Sequence, residues 1–132
     1  MPTITRTLRI AALLAAAALA ACASAPEDPN AWSAKLRESG WKPGASVDSI
    51  PQFRIDGFAV LDTRHVMLHT GVNRRHLITL RDTCSGLQFA NRIGYSVSGG
   101  ALTRFDKLVM VGPTAEMPCL IDSLQALEKI SG

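Results

Sequence analysis

Three histidines and one methionine are the side chains whose types and spacing come closest to those of a metal site. His65, Met67 and His69 lie in one short run, and His76 follows on the next predicted strand. Imidazole and thioether groups are suitable ligands for copper, and on a strand the first three share one face. Because residues four apart on a strand are separated by about 13 Å, one ion would need a further ligand from the neighbouring strand.

The position of His76 depends on how the two strands pair. If Thr70 lies opposite Arg75, His69 faces His76 with Cβ atoms about 5 Å apart. That pairing would support a periplasmic metal-binding protein that uses its surface histidines.

A shift of one residue instead pairs Val66 with Leu80 and Leu68 with Ile78. This register buries four apolar side chains together, and register follows the buried face. We therefore expect the shifted pairing, with the histidines apart on a solvated strand face and no metal site. The candidate ligands of the metal-binding alternative are His65, His69 and His76.

An acid and a base flank a predicted tight turn in Asp62-Thr-Arg-His65. An aspartate before a turn more often caps its own backbone than acts in catalysis. Ser85, Ser96 and Ser98 lack the elbow motif of a hydrolase nucleophile, although the members of a triad meet only in space. We predict a protein that is not an enzyme, with no catalytic residue and no cofactor, and keep a small hydrolase as an alternative.

An apolar run follows Arg6 and Arg9 and ends in Leu19-Ala-Ala-Cys22. A basic segment, an apolar segment and small residues are typical of a signal peptide, and this run is shorter than the roughly 20 residues that span a bilayer. The last four residues resemble the lipobox of bacterial lipoproteins. The resemblance implies cleavage before Cys22, a diacylglyceryl group on its sulfur, and an acyl chain such as palmitate on the new amino terminus. The alternative is an ordinary signal cleaved at Ala21-Cys-Ala23.

The residue after Cys22 bears on location. It is Ala23, whereas an aspartate there would indicate retention in the inner membrane of many Gram-negative bacteria. We therefore expect a lipid anchor in the outer membrane, with the domain facing the periplasm. The expected partner is the membrane itself, together with an envelope protein of unspecified identity.

Two further cysteines, Cys84 and Cys119, would lie in an oxidising compartment. Two such thiols usually pair, and a domain this small benefits from a covalent link. We predict a structural disulfide between them. The alternative is a redox or metal-binding pair, for which the sequence offers no C-x-x-C spacing.

The charge of the chain does not indicate a nucleic-acid partner. The formal net charge is +3, but two of the 14 basic residues and none of the 11 acidic ones lie in the leader, which leaves 12 against 11, or +1. Only Arg74 and Arg75 are adjacent, and no pattern of stacking aromatics accompanies them. At a loop tip they could contact lipid headgroups or an acidic partner, although solubility is the simpler explanation.

The predicted organisation is a signal peptide over 1–21, a lipidated tether and short helix over 22–44, and one β domain over 45–132. Asp28 as the N-cap and Pro29 at the first position predict a helix that runs to Ser39 and stops at Gly40. A turn is expected over 41–44 and an irregular segment over 45–52.

Short β-branched runs between turn residues then predict six strands. Gly57 indicates a bulge or bend in the first strand, and a short helical turn is expected within 82–92. Leucines at 120, 124 and 127 also fit a helix, but we favour a strand there. The strands are predicted at 53–61, 65–70, 75–81, 93–98, 105–111 and 119–125. The fold class is mainly β: a small antiparallel sheet of about six strands, closed as a barrel or folded as a sandwich.

An ordered series of short motifs runs through the β domain: Ile55-Asp-x-Phe58, Leu61-Asp-x-Arg64-x-Val66, Leu77-Ile-x-Leu80-Arg81, Cys84-x-Gly86-Leu87-x-x-Ala90-x-x-Ile93-Gly94, Phe105-Asp106-x-Leu108 and Cys119-x-Ile121. This series resembles a domain-of-unknown-function family of small proteobacterial lipoproteins. The resemblance covers about residues 50–124 and implies a lipid-anchored β domain with two cysteines and no established activity. We expect a binding or structural module of the envelope.

Overall fold

A computed structural model describes residues 28–97, 99–112 and 116–131. In this part of the chain one α-helix precedes nine strands. Single 3-10 turns lie at Gln52–Arg54 and Leu87–Phe89. The elements are α1 (Ala31–Glu38), β1 (Trp41–Ser46), β2 (Ser49–Pro51), β3 (Gly57–Val60), β4 (His65–His69), β5 (Arg75–Leu80), β6 (Arg92–Ser96), β7 (Ala101–Thr103), β8 (Lys107–Val111) and β9 (Glu116–Lys129).

Six strands form a curled antiparallel half-barrel in the order β3-β4-β5-β9-β8-β6. Strand β1 joins the sheet by pairing with β9, while β2 and β7 form a separate two-stranded ribbon. The predicted class, mainly β with a short N-terminal helix, is confirmed. Within the described residues, β3 and β6 are the two terminal strands of this order, so the half-barrel is open between them.

The long strand β9 is the centre of the sheet. It pairs with β8 through its first residues and with β5 and β1 further along. Thr79 lies opposite Ser123 and Leu80 opposite Ile121, so Asp122 is an extra residue that forms a bulge. The bulge shifts the alternation of side chains by one, so that Ile121 and Leu124 both belong to the same core. The leucine spacing that also fitted a helix does not mark one buried face, because Leu120 is 44% exposed. The predicted strand is confirmed and is longer than expected.

The inner face of the half-barrel carries the larger core. Ile50 of β2 and Leu102 of β7 are fully buried there, so the small ribbon covers this face. The sheet residues of this core include Val66, Leu68, Ile78, Leu80, Leu108, Met110, Ile121 and Leu124.

Helix α1 covers the other face of β4 and β5. Leu36 is fully buried, and it forms a second core with Met67 and Leu77, to which Trp32 adds its indole ring. The prediction that the face of His65, Met67 and His69 is solvated is therefore wrong at its centre, since Met67 is only 5% exposed. The sequence predicted the helix and its apolar stripe but not the sheet face on which that stripe packs.

The helix ends as predicted and begins later. Gly40 has φ +92°, which suits the left-handed residue after a helix. The N-cap is Asn30, not Asp28, and its side chain makes no capping hydrogen bond. Instead, Asp28 Oδ1 accepts a hydrogen bond of 2.9 Å from the Asn30 N–H. This helix has eight residues, and no helix of the described part is long and apolar enough to cross a membrane.

The expected turn at Trp41-Lys-Pro-Gly44 is wrong, because this segment is the start of β1. Its glycine is there for a close approach rather than for a turn. A Cβ atom on Gly44 would lie 2.8 Å from the carbonyl oxygen of Ala126 in the neighbouring strand. Strand β2 lies in the segment predicted to be irregular, β7 was not predicted, and the predicted first strand is shortened to begin at Gly57.

A disulfide joins Cys84, which follows β5, to Cys119 in β9. Their Cα atoms are 6.1 Å apart, within the range that a disulfide can bridge. Both residues are buried in the inner core. The bond ties the segment between β5 and β6 to the central strand.

Candidate functional site

A groove lies in the gap between the two terminal strands of the half-barrel. One wall comes from Gly57 and Phe58 of β3, and the other from Arg92, Ile93 and Tyr95 of β6. Its volume is about 320 Å³, at the lower end of the range of roughly 300 to 1,000 Å³ for ligand sites. We call it the seam groove; its full lining is Ile55, Asp56, Gly57, Phe58, Leu68, Arg92, Ile93 and Tyr95.

The lining is apolar with a few polar groups. Phe58 and Ile93 pack against the edge of the inner core, to which Leu68 belongs. Arg92 supplies a cation and Asp56 an anion, both on exposed residues. Such a surface can bind apolar side chains and orient them by a small number of polar contacts.

The backbone of β3 contributes to the groove as well. Leu61 N–H donates a hydrogen bond of 2.9 Å to the His65 carbonyl, so Val60 and Val66, the neighbouring pair of the antiparallel ladder, form a non-bonded pair. Because bonded and non-bonded pairs alternate, Ala59 also bonds to β4, whereas the N–H and C=O groups of Phe58 and Val60 point away from it. These groups form the free edge of the strand.

A wider cleft adjoins the seam groove at Asp56, which lines both cavities. It has a volume of about 670 Å³ and lies between the 3-10 turn at 52–54 and the loop at 71–74. Phe53 and Val72 are 83% and 93% exposed, and the guanidinium of Arg54 lies 5.6 Å from the centroid of the Phe53 ring. We call this the loop cleft.

The two adjacent arginines of the β4–β5 loop have different surroundings. Arg74 is exposed and lines the loop cleft. Arg75 is half-buried: its Nη1 donates hydrogen bonds of 2.9 Å to the carbonyls of Gly71 and Arg74, and its guanidinium lies 5.5 Å from the ring centroid of Trp41. Of this predicted pair, Arg74 remains a candidate for ligand contact, and Arg75 stabilises the loop.

The pairing of β4 with β5 places the histidines on different faces. His69 lies opposite Arg75 and His76 opposite Leu68, so the two imidazoles project from opposite sides of the sheet. The expected separation is confirmed, but the predicted register is wrong by two residues because Val66 lies opposite Ile78. The expected pairing would place Thr70 opposite His76, but the loop closes two residues earlier, through a hydrogen bond of 3.0 Å from Thr70 N–H to the Arg74 carbonyl.

A displacement of two residues leaves every side chain on its predicted face. The four apolar residues expected to be buried together are indeed at most 1% exposed: Val66, Leu68, Ile78 and Leu80. In the described part of the chain, no cluster of three or more His, Cys, Asp or Glu side chains could hold a metal ion. This arrangement gives the metal-binding alternative no support.

His65 and Asp62 do come together. The Asp62 carboxylate lies 2.8 and 3.0 Å from Nδ1 of His65 and also accepts a hydrogen bond of 2.7 Å from the Arg64 N–H. The capping role expected of Asp62 is confirmed, and it orients the imidazole as well. The ring stacks on Trp32 of α1, so the pair serves to attach the helix to the turn before β4.

His76 has a more buried environment at the end of β5. Its Nδ1 shares a hydrogen bond of 2.7 Å with the hydroxyl of Thr70, itself only 2% exposed. Burial, together with repulsion from Arg74, lowers the pKa of His76 below its ordinary value of 6.5. The fold therefore favours the neutral imidazole at this position.

The sequence reasoning missed the seam groove because its two walls are far apart along the chain. Ile93 and Tyr95 share one face of β6, and the run Gly57-Phe-Ala-Val60 contains neither lysine nor proline. These were the available signals, since natural edge strands usually carry such residues. Cys22, the predicted lipidation site, lies outside the described residues.

A family profile matches residues 5–130 of the chain, and the family is described as one of unknown function, DUF6491. The chain belongs to DUF6491. Comparison with the curated proteins and comparison with the solved structures each gave no match. The disulfide-linked β domain is thus the structure of a DUF6491 protein, and its family assigns it no activity.

Proposed function

We propose that this DUF6491 protein is a lipid-anchored, non-enzymatic binding module of the Gram-negative envelope. Its signal peptide ends before Cys22, which carries the lipid, and the β domain faces the periplasm from the outer membrane. The seam groove is the surface with which the domain binds its partner.

The anchor is supported by residue types and their order. Two arginines, an apolar run and small residues precede Cys22, as in a lipoprotein signal. A buried disulfide between the other two cysteines fits an exported domain, because disulfides persist in oxidising compartments.

The binding role rests on one observation, the half-barrel that stays open between β3 and β6. A closed barrel has no free edges, and open sheets usually protect theirs. Here both terminal strands border a groove lined by Phe58, Ile93 and Tyr95. The apolar lining and unpaired backbone groups of β3 are surfaces that a bound partner would cover.

Metabolic labelling with a palmitate analogue tests the anchor. The wild-type chain should carry the label and Cys22→Ser should not, whereas Cys84→Ser should keep it. Equal labelling of the wild type and Cys22→Ser would contradict the lipid anchor.

Photo-crosslinking in cells tests the groove independently of the anchor. A benzophenone amino acid at Tyr95 should give a discrete adduct of higher mass, because this residue lines the groove. The same amino acid at Ala34, which is exposed on α1 at the opposite face of the sheet, is the matched control. Identical adduct patterns at the two positions, or none at either, would argue against a binding role for the groove.

A further inference from the structure

We propose that the seam groove binds an extended peptide segment with acidic residues, which pairs with the free edge of β3 as an additional strand. This inference rests on the proposed binding function and specifies the chemistry of the partner. The added strand would extend the sheet into the open side of the half-barrel.

The free edge of β3 is accessible for pairing with another strand. Its sequence, Gly57-Phe-Ala-Val60, contains none of the lysines or prolines with which proteins protect edge strands. The N–H and C=O groups of Phe58 and Val60 point away from β4, as the ladder shows. An extended peptide can satisfy all of these groups at once, as in β-strand addition.

The groove beside this edge suits the side chains of a strand. Alternate residues of an added strand would point towards the inner core, where Leu68 meets Phe58 and Ile93. The remaining residues would point outwards and stay polar. The chemistry expected is therefore a short run in which apolar and polar residues alternate.

The charges around the two cavities favour an acidic partner. Arg92 lines the seam groove, and Arg54 and Arg74 line the loop cleft, whereas Asp56 is the one acidic residue of their described lining. Complementary charge speeds association and fixes orientation. A peptide whose acidic end reaches the loop cleft would meet two of these guanidinium groups.

An acyl chain is the competing occupant, and the backbone argues against it. Hydrocarbon laid along β3 would cover the polar groups of Phe58 and Val60 without giving them partners. Burying amide groups without hydrogen-bond partners is unfavourable. A peptide covers the same apolar side chains and pairs those groups.

The test measures fluorescence anisotropy of a labelled peptide, Ser-Val-Thr-Val-Thr-Glu-Glu, with the full chain carrying Cys22→Ser, which leaves every groove residue unchanged. Two further peptides carry N-methyl groups on alternate residues, one in each of the two phases. One of these peptides loses the N–H groups that face β3, and the other keeps them. We therefore expect the first to bind at least tenfold more weakly than the starting peptide and the second to bind. Replacing both glutamates with lysine should also weaken binding at least tenfold.

Variants of the protein supply matched controls. Val60→Pro removes an N–H that points away from β4, so it should weaken binding at least tenfold while keeping the ladder. Val60→Ala shortens the same side chain but keeps the N–H, and should bind as the wild type. Arg92→Glu should weaken binding, whereas Arg37→Glu on the exposed side of α1 should not.

Two results would overturn the peptide assignment: no binding of the starting peptide, or equal binding of both N-methylated peptides. If no peptide binds, cis-parinaric acid is tested with the wild type and with Phe58→Ala, and binding that this variant abolishes is the last possible result. The last would assign the groove to an acyl chain. The N-methyl comparison uses the unaltered groove, so it decides the matter even if Val60→Pro fails to fold. An adduct at Tyr95 in cells together with any of these results would leave the binding function standing and reject the peptide.

Discussion

The imidazole of His65 lies nearly parallel to the indole of Trp32, with ring centroids 4.3 Å apart and an angle of 10° between the planes. The Asp62 carboxylate contacts Nδ1 of His65 and so fixes the orientation of the imidazole ring. One strand and the only described α-helix are thus joined by a stacked pair whose orientation is fixed by a third residue.

This stack should contribute measurably to stability. In a double-mutant cycle of Trp32→Ala and His65→Ala, we expect a coupling free energy of about 0.5 to 1.5 kcal/mol, the range for stacked ring pairs. Urea unfolding of the four proteins measures it. The control cycle combines Trp32→Ala with Arg104→Ala, in an exposed turn on another part of the sheet, and should be additive. A coupling of zero between Trp32 and His65 would mean that the stacking does not help to hold α1.

The pattern of the sequence predicted the elements that depend on local signals and missed those that depend on a distant partner. The apolar alternation in β4 and β5 gave their positions and buried faces. It could not predict which residue of β4 lies opposite which residue of β5, because the hydrogen bond from Thr70 to Arg74 shortens the loop. At β1, Pro43 and Gly44 led to the prediction of a turn, because the neighbouring residues do not indicate the close approach of Ala126, which is distant in sequence.

The candidate site was less predictable than the fold. Gly57 and Tyr95 line one groove because a curled sheet brings its two terminal strands near each other, and no short-range pattern encodes that curl. The run from His65 to His69 contains possible metal ligands, yet Met67 is a core residue. A strand face of mixed polarity is ambiguous until the element that covers it is known.

Gly44 should tolerate no side chain. In Gly44→Ala the new Cβ would lie 2.8 Å from the Ala126 carbonyl oxygen and 3.0 Å from Cγ of Glu128, so β1 must move away from β9. We expect a loss of about 1 to 3 kcal/mol, typical of overpacking. Gly86→Ala is the matched control, because its nearest neighbour would be Sδ of Met117 at 3.9 Å. Chemical denaturation should separate the two; equal stability would show that β1 can adjust freely.

The stability of the domain should fall as the pH drops below 6.5. The pKa of His76 is lowered in the folded state by burial and by Arg74, so between that pKa and the ordinary value of 6.5 the unfolded chain binds more protons. The free energy of unfolding therefore rises with pH through this window, and above pH 6.5 His76 no longer lowers it. Urea titrations at pH 7.5 and 5.5 measure the difference. It should shrink in His76→Gln and persist in His69→Gln; an unchanged difference in His76→Gln would assign it to other groups.

Reduction should destabilise the domain without changing its fold. Cys84 and Cys119 are 35 residues apart in sequence, and closing such a loop stabilises by about 4 kcal/mol in the chain-entropy account. We expect the melting temperature to fall by more than about 10 °C with an unchanged far-ultraviolet circular dichroism spectrum. A variant with serine at both positions should have the melting temperature of the reduced protein, and the reductant should not change it. Alkylation of both thiols in the native, unreduced protein would contradict the bond.

The central place of β9 has a consequence for biogenesis. Its pairing partners β1, β5 and β8 all precede it in the chain, and β1 pairs with its end, from Gln125 to Lys129. A growing chain that has reached only Val111 therefore has the flanking strands and none of the strand that joins them. Contacts between such distant segments delay folding, so the domain would remain unfolded until β9 has been synthesised. If the chain is exported, as proposed above, a channel that carries unstructured chains could transport it before it folds.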